Sequence, residues 1–304
     1  MTLEDLRAGG KPAIARALAT LETAPYDSAT LDLLDDANGA ETGQVIGLTG
    51  PPGVGKSTLL GRLIAEWRRR GLTVGVVAVD PSSLRTHGAL LGDRARIATD
   101  PSDAGVYIRS MATRGQLGGL ARLAFPSVVL LRALFDRVVV ETVGVGQSEL
   151  DVASASDTVV LCVQPGAGDA LQFLKAGIME IPDVIVINKA DMGPAAQRAR
   201  SDLASALSLS EGEGAWSPRL LETSGRDGTG VDALADCLEE HRAWLAQSGQ
   251  LPEQRAQQVR HWIADAVRDR FGVDGVDRLG PIAPDGRPPF RGLAEAFARL
   301  GSAD

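Results

Sequence analysis

Short apolar, β-branched runs alternate with stretches of helical period along most of the chain. Val45 to Thr49, Thr73 to Val79, Arg137 to Glu141, Thr158 to Val163 and Val184 to Asn188 predict buried strands. After the first of these, Leu59, Leu60, Leu63, Ile64 and Trp67 share one face of a helix, while Arg62, Glu66 and Arg68 to Arg70 point away. The arginine run reads as a solvated helix end, where cations meet the negative pole of the helix dipole. Alternation of this kind is the sequence form of an α/β fold, a mostly parallel sheet with helices on both faces. Ahead of it, Leu3 to Leu21 predicts one or two short helices, interrupted by Gly9, Gly10 and Pro12, with Ile14, Leu18 and Leu21 on one face. Beyond it lie polar, Gly-containing loops at Glu211 to Pro218 and Gly225 to Gly230 and a helix around Val231 to Gln247. A Pro- and Gly-rich linker, Gly280 to Pro289, then precedes a last short helix, Leu293 to Leu300. The expected division is a helical extension over 1–40, an α/β domain over 41–247 and a helical segment over 248–304.

Composition narrows the partners. The chain has 304 residues, 44% of them hydrophobic and 23% charged, enough to bury a large core and too apolar for a disordered chain. Lys+Arg 31 against Asp+Glu 39 gives a formal charge of -8, which argues against duplex nucleic acid or an anionic membrane as the main partner. Cys162 and Cys237 stand far apart and match no metal spacing, so two reduced thiols are expected. His87, His241 and His261 are too dispersed for a zinc enzyme. No apolar stretch approaches the ~18 residues of a membrane span and the start of the sequence is acidic, so a soluble, cytoplasmic protein is expected.

Two motifs carry the chemistry. Gly50, Pro51, Pro52, Gly53, Val54, Gly55, Lys56 and Ser57, followed by Thr58, satisfy G-x-x-x-x-G-K-[ST] between a strand and an amphipathic helix. In that setting consecutive backbone N–H groups face phosphate oxygens at a helix N-terminus. Lys56 reaches the β- and γ-phosphates, and the Ser57 hydroxyl coordinates Mg²⁺. Asn188, Lys189, Ala190 and Asp191 form N-K-x-D at a strand end. The Asp191 carboxylate can accept from both the ring N–H and the amino group of guanine, whereas adenine offers it no such donor pair. Asn188 ties this loop to the phosphate loop and the Lys189 stem covers the base.

Further positions leave alternatives open. Ser224, Gly225 and Arg226 end another apolar stretch, where the backbone either donates to the guanine carbonyl oxygen or forms a plain turn. Glu141 ends a buried strand in Glu-Thr-Val-Gly, where a carboxylate can hold Mg²⁺ through water and the Gly144 N–H can sense the γ-phosphate. Val145 stands where a water-orienting Gln commonly follows that glycine, so hydrolysis by the isolated chain is expected to be slow. Asp80 and Asp93 either reach the metal shell or serve as a helix cap or surface ion pair.

With these residues in place the chain resembles the MeaB-like GTPases, also labelled ArgK-type or LAO/AO transport ATPases. The blocks that carry the likeness are GPPGVGKST (50–58), VDPSS (79–83), LGDR (91–94), TRGQLGGLAR (113–122), ETVGVGQSE (141–149), PGAGD (165–169), GIMEI (177–181) and NKAD (188–191). The resemblance implies a Rossmann-like G domain, a homodimer using the C-terminal segment, and GTP-dependent protection or cofactor loading of an adenosylcobalamin-dependent acyl-CoA mutase. It also implies that Asp169 and Lys175 belong to a switch coupling nucleotide state to that mutase. The sequence departs from the family pattern at Arg85, His87, Gln116 and Ala170. The competing reading is a GTPase that delivers nickel to a metalloenzyme, which would ordinarily carry a His- or Cys-rich stretch.

Overall fold

The structure is a computed structural model that describes residues 1–40, 42–80, 97–112, 124–142, 152–166, 182–207, 216–280 and 288–301. Among the described residues seven strands form one sheet: β1 (Gln44–Thr49), β2 (Val74–Asp80), β3 (Val106–Ala112), β4 (Arg137–Glu141), β5 (Thr158–Val163), β6 (Val184–Ile187) and β7 (Arg219–Glu222). Their spatial order is β3-β2-β4-β1-β5-β6-β7 and every pairing is parallel. The expected α/β class therefore holds, and the sheet is parallel throughout its described pairings. Around it lie α1 (Leu3–Thr23), α2 (Ser28–Gly39), α3 (Lys56–Arg69), α4 (Ala124–Arg132), α5 (Pro194–Leu207), α6 (Val231–Gln247), α7 (Gln250–Leu279) and α8 (Pro289–Gly301).

Period-2 geometry explains why the strands read as unbroken apolar runs. In β4, Val138 and Val140 join a core with α1, α2 and α4, whereas Val139 between them joins α3 and α6 on the opposite face. The predicted face of α3, from Leu59 to Trp67, is buried as expected. Its arginine run is bound rather than merely solvated. Arg68 grips Asp103 with two bonds at 2.8 and 2.9 Å, Arg69 and Arg70 both hold Glu66, and Arg70 reaches Asp236 on α6 at 2.6 Å. Those guanidinium bonds draw the Glu66 carboxyl down to about 2.

The N-terminal helix is one element broken at Gly10, whose φ is +57°. The sequence pattern missed the edge strand β3, and gave no separate bounds for α2 within the expected helical extension or for α7, kinked at Gly272, within the expected helical segment. At the far end of the chain, α8 packs against α2: Phe290 is fully buried, and the Asp35 carboxylate accepts the Phe290 and Arg291 N–H groups at 3.0 and 3.2 Å.

The amino-terminal edge of the sheet is closed by two polar anchors. In the first, Arg255 on α7 forms a two-bond ion pair with Asp157 at 2.9 and 2.7 Å and donates to the Gly43 carbonyl at 2.7 Å. Asp157 also accepts the Val45 N–H at 2.8 Å, and Gln258 caps the Ser156 carbonyl. In the second, His241 on α6 lies 2.9 Å from the Thr158 hydroxyl through Nδ1 and 3.4 Å from Asp183 through Nε2. Burial pushes the Asp183 carboxyl up to about 7 and the His241 ring down to about 4.

In the intact pair the two titrations of this second anchor cancel, and single substitutions should expose them. Between about pH 4 and 6.5 the unfolded chain carries an ionised Asp183 and a charged His241, whereas the fold keeps Asp183 protonated and the ring neutral. Each state then holds one proton on the pair, and its net contribution to pH dependence is nil. Asp183→Asn leaves the depressed histidine alone, so stability should be lost as pH falls from about 6.5 to about 4. His241→Asn leaves the raised carboxyl alone, so stability should be lost as pH rises from about 4 to about 7. Urea midpoints of the two variants should slope in opposite directions relative to the parent, and parallel slopes would refute the assignment.

Candidate nucleotide site

Parallel strands direct all their carboxyl ends to one edge, and a crevice forms where neighbouring crossovers diverge from β1. The loop after β1 turns there with unusual backbone. Gly50 has φ +135°, and a Cβ on it would stand 2.1 Å from the Cys162 carbonyl oxygen of β5, so no larger residue fits. Gly55, at φ +94°, begins α3, and its missing Cβ makes room for the Asn188 amide. Behind the loop a cavity of about 330 Å³ is lined by Gly53, Lys56, Ser57, Val79 and Glu141, among others. The N-terminus of α3 points into this region, which favours an anion there.

Lys56 is buried, and its ammonium folds onto the loop's own carbonyls, donating to Gly50 at 2.6 Å and Pro51 at 3.1 Å. The Ser57 hydroxyl donates to Glu141 Oε1 at 2.7 Å. Glu141 is itself buried at the end of β4. A hydroxyl and a carboxylate converging on one cavity wall are hard oxygen ligands, a donor set that fits Mg²⁺. Asp80 is the last residue of β2, at the same edge of the sheet.

A second group of residues gathers at the ends of β6 and β7. Asn188 is fully buried and joins three loops. Its amide donates to the Val54 and Gly55 carbonyls at 2.8 and 3.3 Å, and its oxygen accepts the Thr223 hydroxyl and the Gly225 N–H, each at 3.2 Å. Lys189 takes the left-handed conformation at φ +61°, alone among the described non-glycine residues. Its ammonium bridges the Gly53 carbonyl at 2.8 Å and Gln164 at 2.7 Å, stretching the stem between the two loops. Asp191 accepts the Ser224 hydroxyl at 2.9 Å, with the Arg226 guanidinium 3.9 Å away and largely exposed.

The structure thus brings together Gly50 to Thr58, Glu141, Asn188, Lys189, Asp191, Ser224, Gly225 and Arg226. Asp93, Gly144, Asp169 and Lys175 lie outside the described residues. Sequence reasoning missed Arg62, Gln164 and Thr223. Gln164 carried a faint signal as a polar residue directly after an apolar strand. Arg62 carried none, since it sits on the polar face of α3. The Cys162 thiol, pushed up to about 12 by burial, packs in the core between sheet and loop.

The chain is similar to several known proteins. A Pyrococcus horikoshii protein named as a GTPase is 44% identical over 271 residues, covering 87% of this chain and 84% of that protein. The crystal structure of a LAO/AO transport system kinase superposes with a TM-score of 0.69 at 30% identity, covering 97% of this chain and 96% of that one. HypB from Helicobacter pylori, solved with nickel, has a TM-score of 0.52 at 21% identity over 70% of this chain and 94% of its own, a likeness of fold alone. Residues 14–275 match the family described as methylmalonyl-CoA mutase-associated GTPase MeaB. That match takes in the whole sheet and both groups of site residues: the chain belongs to the MeaB family and is a GTPase.

Proposed function

We propose that this GTPase is a chaperone of an adenosylcobalamin-dependent acyl-CoA mutase of the methylmalonyl-CoA mutase type, with its nucleotide state governing cofactor loading or protection of that enzyme. The observation that carries the proposal is the match over residues 14–275 to a family whose description ties the GTPase to that mutase. In this reading Lys56 leaves the Gly50 and Pro51 carbonyls to neutralise the β- and γ-phosphates, and the amides of the 50–58 loop bind the phosphate oxygens. Ser57 and Glu141 hold Mg²⁺, with Asp80 and Asp93 as further candidates for its shell, and the ion neutralises charge on the phosphates when bound. Asp191 reads guanine, Lys189 covers its face, and Ser224, Gly225 and Arg226 close the base site.

Glu141 at the end of β4, Asp80 at the end of β2, Asp93 and the loop containing Gly144 are the parts able to feel the γ-phosphate, so GTP and GDP would make unequal contacts with them. Unequal contact is the condition for a nucleotide to shift a protein between two states. Gly144, Asp169 and Lys175 are proposed to pass that difference to the mutase. Among the described residues no helix is long and apolar enough to cross a membrane. The proposal places the protein in the cytoplasm as a homodimer, with neither nucleic acid nor membrane as partner.

The test is the GTP hydrolysis rate of the purified chain, alone and with each cobalamin-dependent mutase from the same genome, with ATP as control. Slow basal turnover raised at least about tenfold by one mutase is expected, because Val145 supplies no water-orienting amide in the chain alone. A rate that none of the mutases changes would overturn the client assignment.

A further inference from the structure

We propose that Arg62 is a positioning residue for base recognition, acting on Asp191 through the peptide that follows Arg226 and through the Ser224 hydroxyl. Arg62 projects from the middle of α3, and its guanidinium takes two successive carbonyls of the base loop, Gly225 at 3.2 Å and Arg226 at 2.6 Å. In a trans peptide the C=O and the following N–H point in opposite directions, so fixing the two carbonyls fixes the N–H groups of Arg226 and Asp227. The Asp227 N–H donates to Ser224 Oγ at 3.4 Å, and that hydroxyl donates to Asp191 Oδ1 at 2.9 Å. The chain of contacts runs from the phosphate-loop helix to the carboxylate that faces the base.

Two further observations separate this role from simple bracing of α3. The helix is already tied to α6 by Arg70, which reaches Asp236 and the Asp232 carbonyl, and by the buried Trp67. The base loop also lies directly on the α3 backbone: a Cβ on Gly225 would stand 3.1 Å from the Leu59 nitrogen. Contact with α3 therefore sets the loop's height, and Arg62 sets the rotation of its peptides. A planar guanidinium with several donors can hold two carbonyls at once, which a lysine ammonium on a flexible stem does less well.

The inference rests on Asp191 as the base contact, so the experiment checks that reading separately. Affinities for GTP, xanthosine triphosphate and inorganic tripolyphosphate are measured for the parent, Arg62→Ala, Arg62→Lys and Asp191→Asn, with melting temperature as a control for folding. Arg62→Ala should weaken GTP about tenfold and leave tripolyphosphate within about twofold, since two charge-assisted bonds at a partly exposed site are lost from the base loop alone. Arg62→Lys should fall between parent and alanine variant. Equal losses for GTP and tripolyphosphate, or an unchanged GTP affinity, would overturn the proposal while an Asp191→Asn switch to xanthosine triphosphate left the base-site reading standing. An Asp191→Asn variant with unchanged affinities would remove that reading and this inference together.

Discussion

Asp191→Asn is expected to weaken GTP binding at least about a hundredfold and to raise affinity for xanthosine triphosphate by a comparable factor, because a site built to pair specific donors rejects a base that mismatches them. Guanine presents two donors, its ring N–H and its amino group, to one carboxylate. Xanthine replaces the amino group with a carbonyl, so an amide offering one acceptor and one donor matches it. The geometry favours a clean exchange. Ser224 already donates to Asp191 Oδ1, and an amide oxygen in that place keeps the bond. The fully buried Asn188 fixes the loop independently by holding Val54, Gly55, Thr223 and Gly225. Calorimetric titration with the two nucleotides decides it, and an unchanged GTP affinity would show that Asp191 does not touch the base.

Removing the charge of Arg255 should destabilise the protein by about 3–5 kcal/mol, the usual cost of leaving the partner of a buried ion pair uncompensated. Asp157 is 1% exposed and Arg255 6%, and both oxygens of the carboxylate are engaged by the guanidinium. In Arg255→Met the aliphatic stem is replaced, while Asp157 keeps only the Val45 N–H among the bonds described above. The Gly43 carbonyl also loses its donor. Urea denaturation measures the loss as a lower midpoint at unchanged slope. The double variant Arg255→Met with Asp157→Asn should cost less than the sum of the singles, because the second change removes the stranded charge. Additive losses would mean that the pair contributes no coupling.

Local chemistry was legible where the residues that act together are neighbours in sequence. Gly50 to Thr58 reads as the proposed phosphate loop because its glycines, lysine and hydroxyl are contiguous, and Asn188 to Asp191 reads as the proposed base loop for the same reason. The strands β1, β2, β4, β5 and β6 were legible because burial on both faces leaves their interiors apolar, with polar residues such as Arg137 and Glu141 only at the strand ends. β3 escaped because it is an edge strand whose Tyr107, Arg109 and Ser110 break the apolar run, with Arg109 spent on Glu22 of α1. The bounds and packing face of α7 escaped, within a segment expected to be helical, because much of its surface is polar and its key buried residue is an arginine. Its partner Asp157 lies 98 positions away, and no local pattern encodes such a pair. Arg62 illustrates the same limit within the site: its place on the polar face of α3 is legible, but the loop it grips arrives more than 160 residues later.

The packing of α8 on α2 has a consequence for the birth of the protein on the ribosome. The Leu31, Leu33 and Leu34 side chains of α2 leave the ribosome well before Phe290, which joins their core, and before the backbone that Asp35 caps, which begins 255 residues further along the chain. At ~5–20 residues per second, roughly 250 intervening residues take on the order of 10–50 s to translate. Throughout that interval part of the α2 face has no native cover, so the nascent chain, rather than the finished protein, is the form most exposed to aggregation and most dependent on general chaperones.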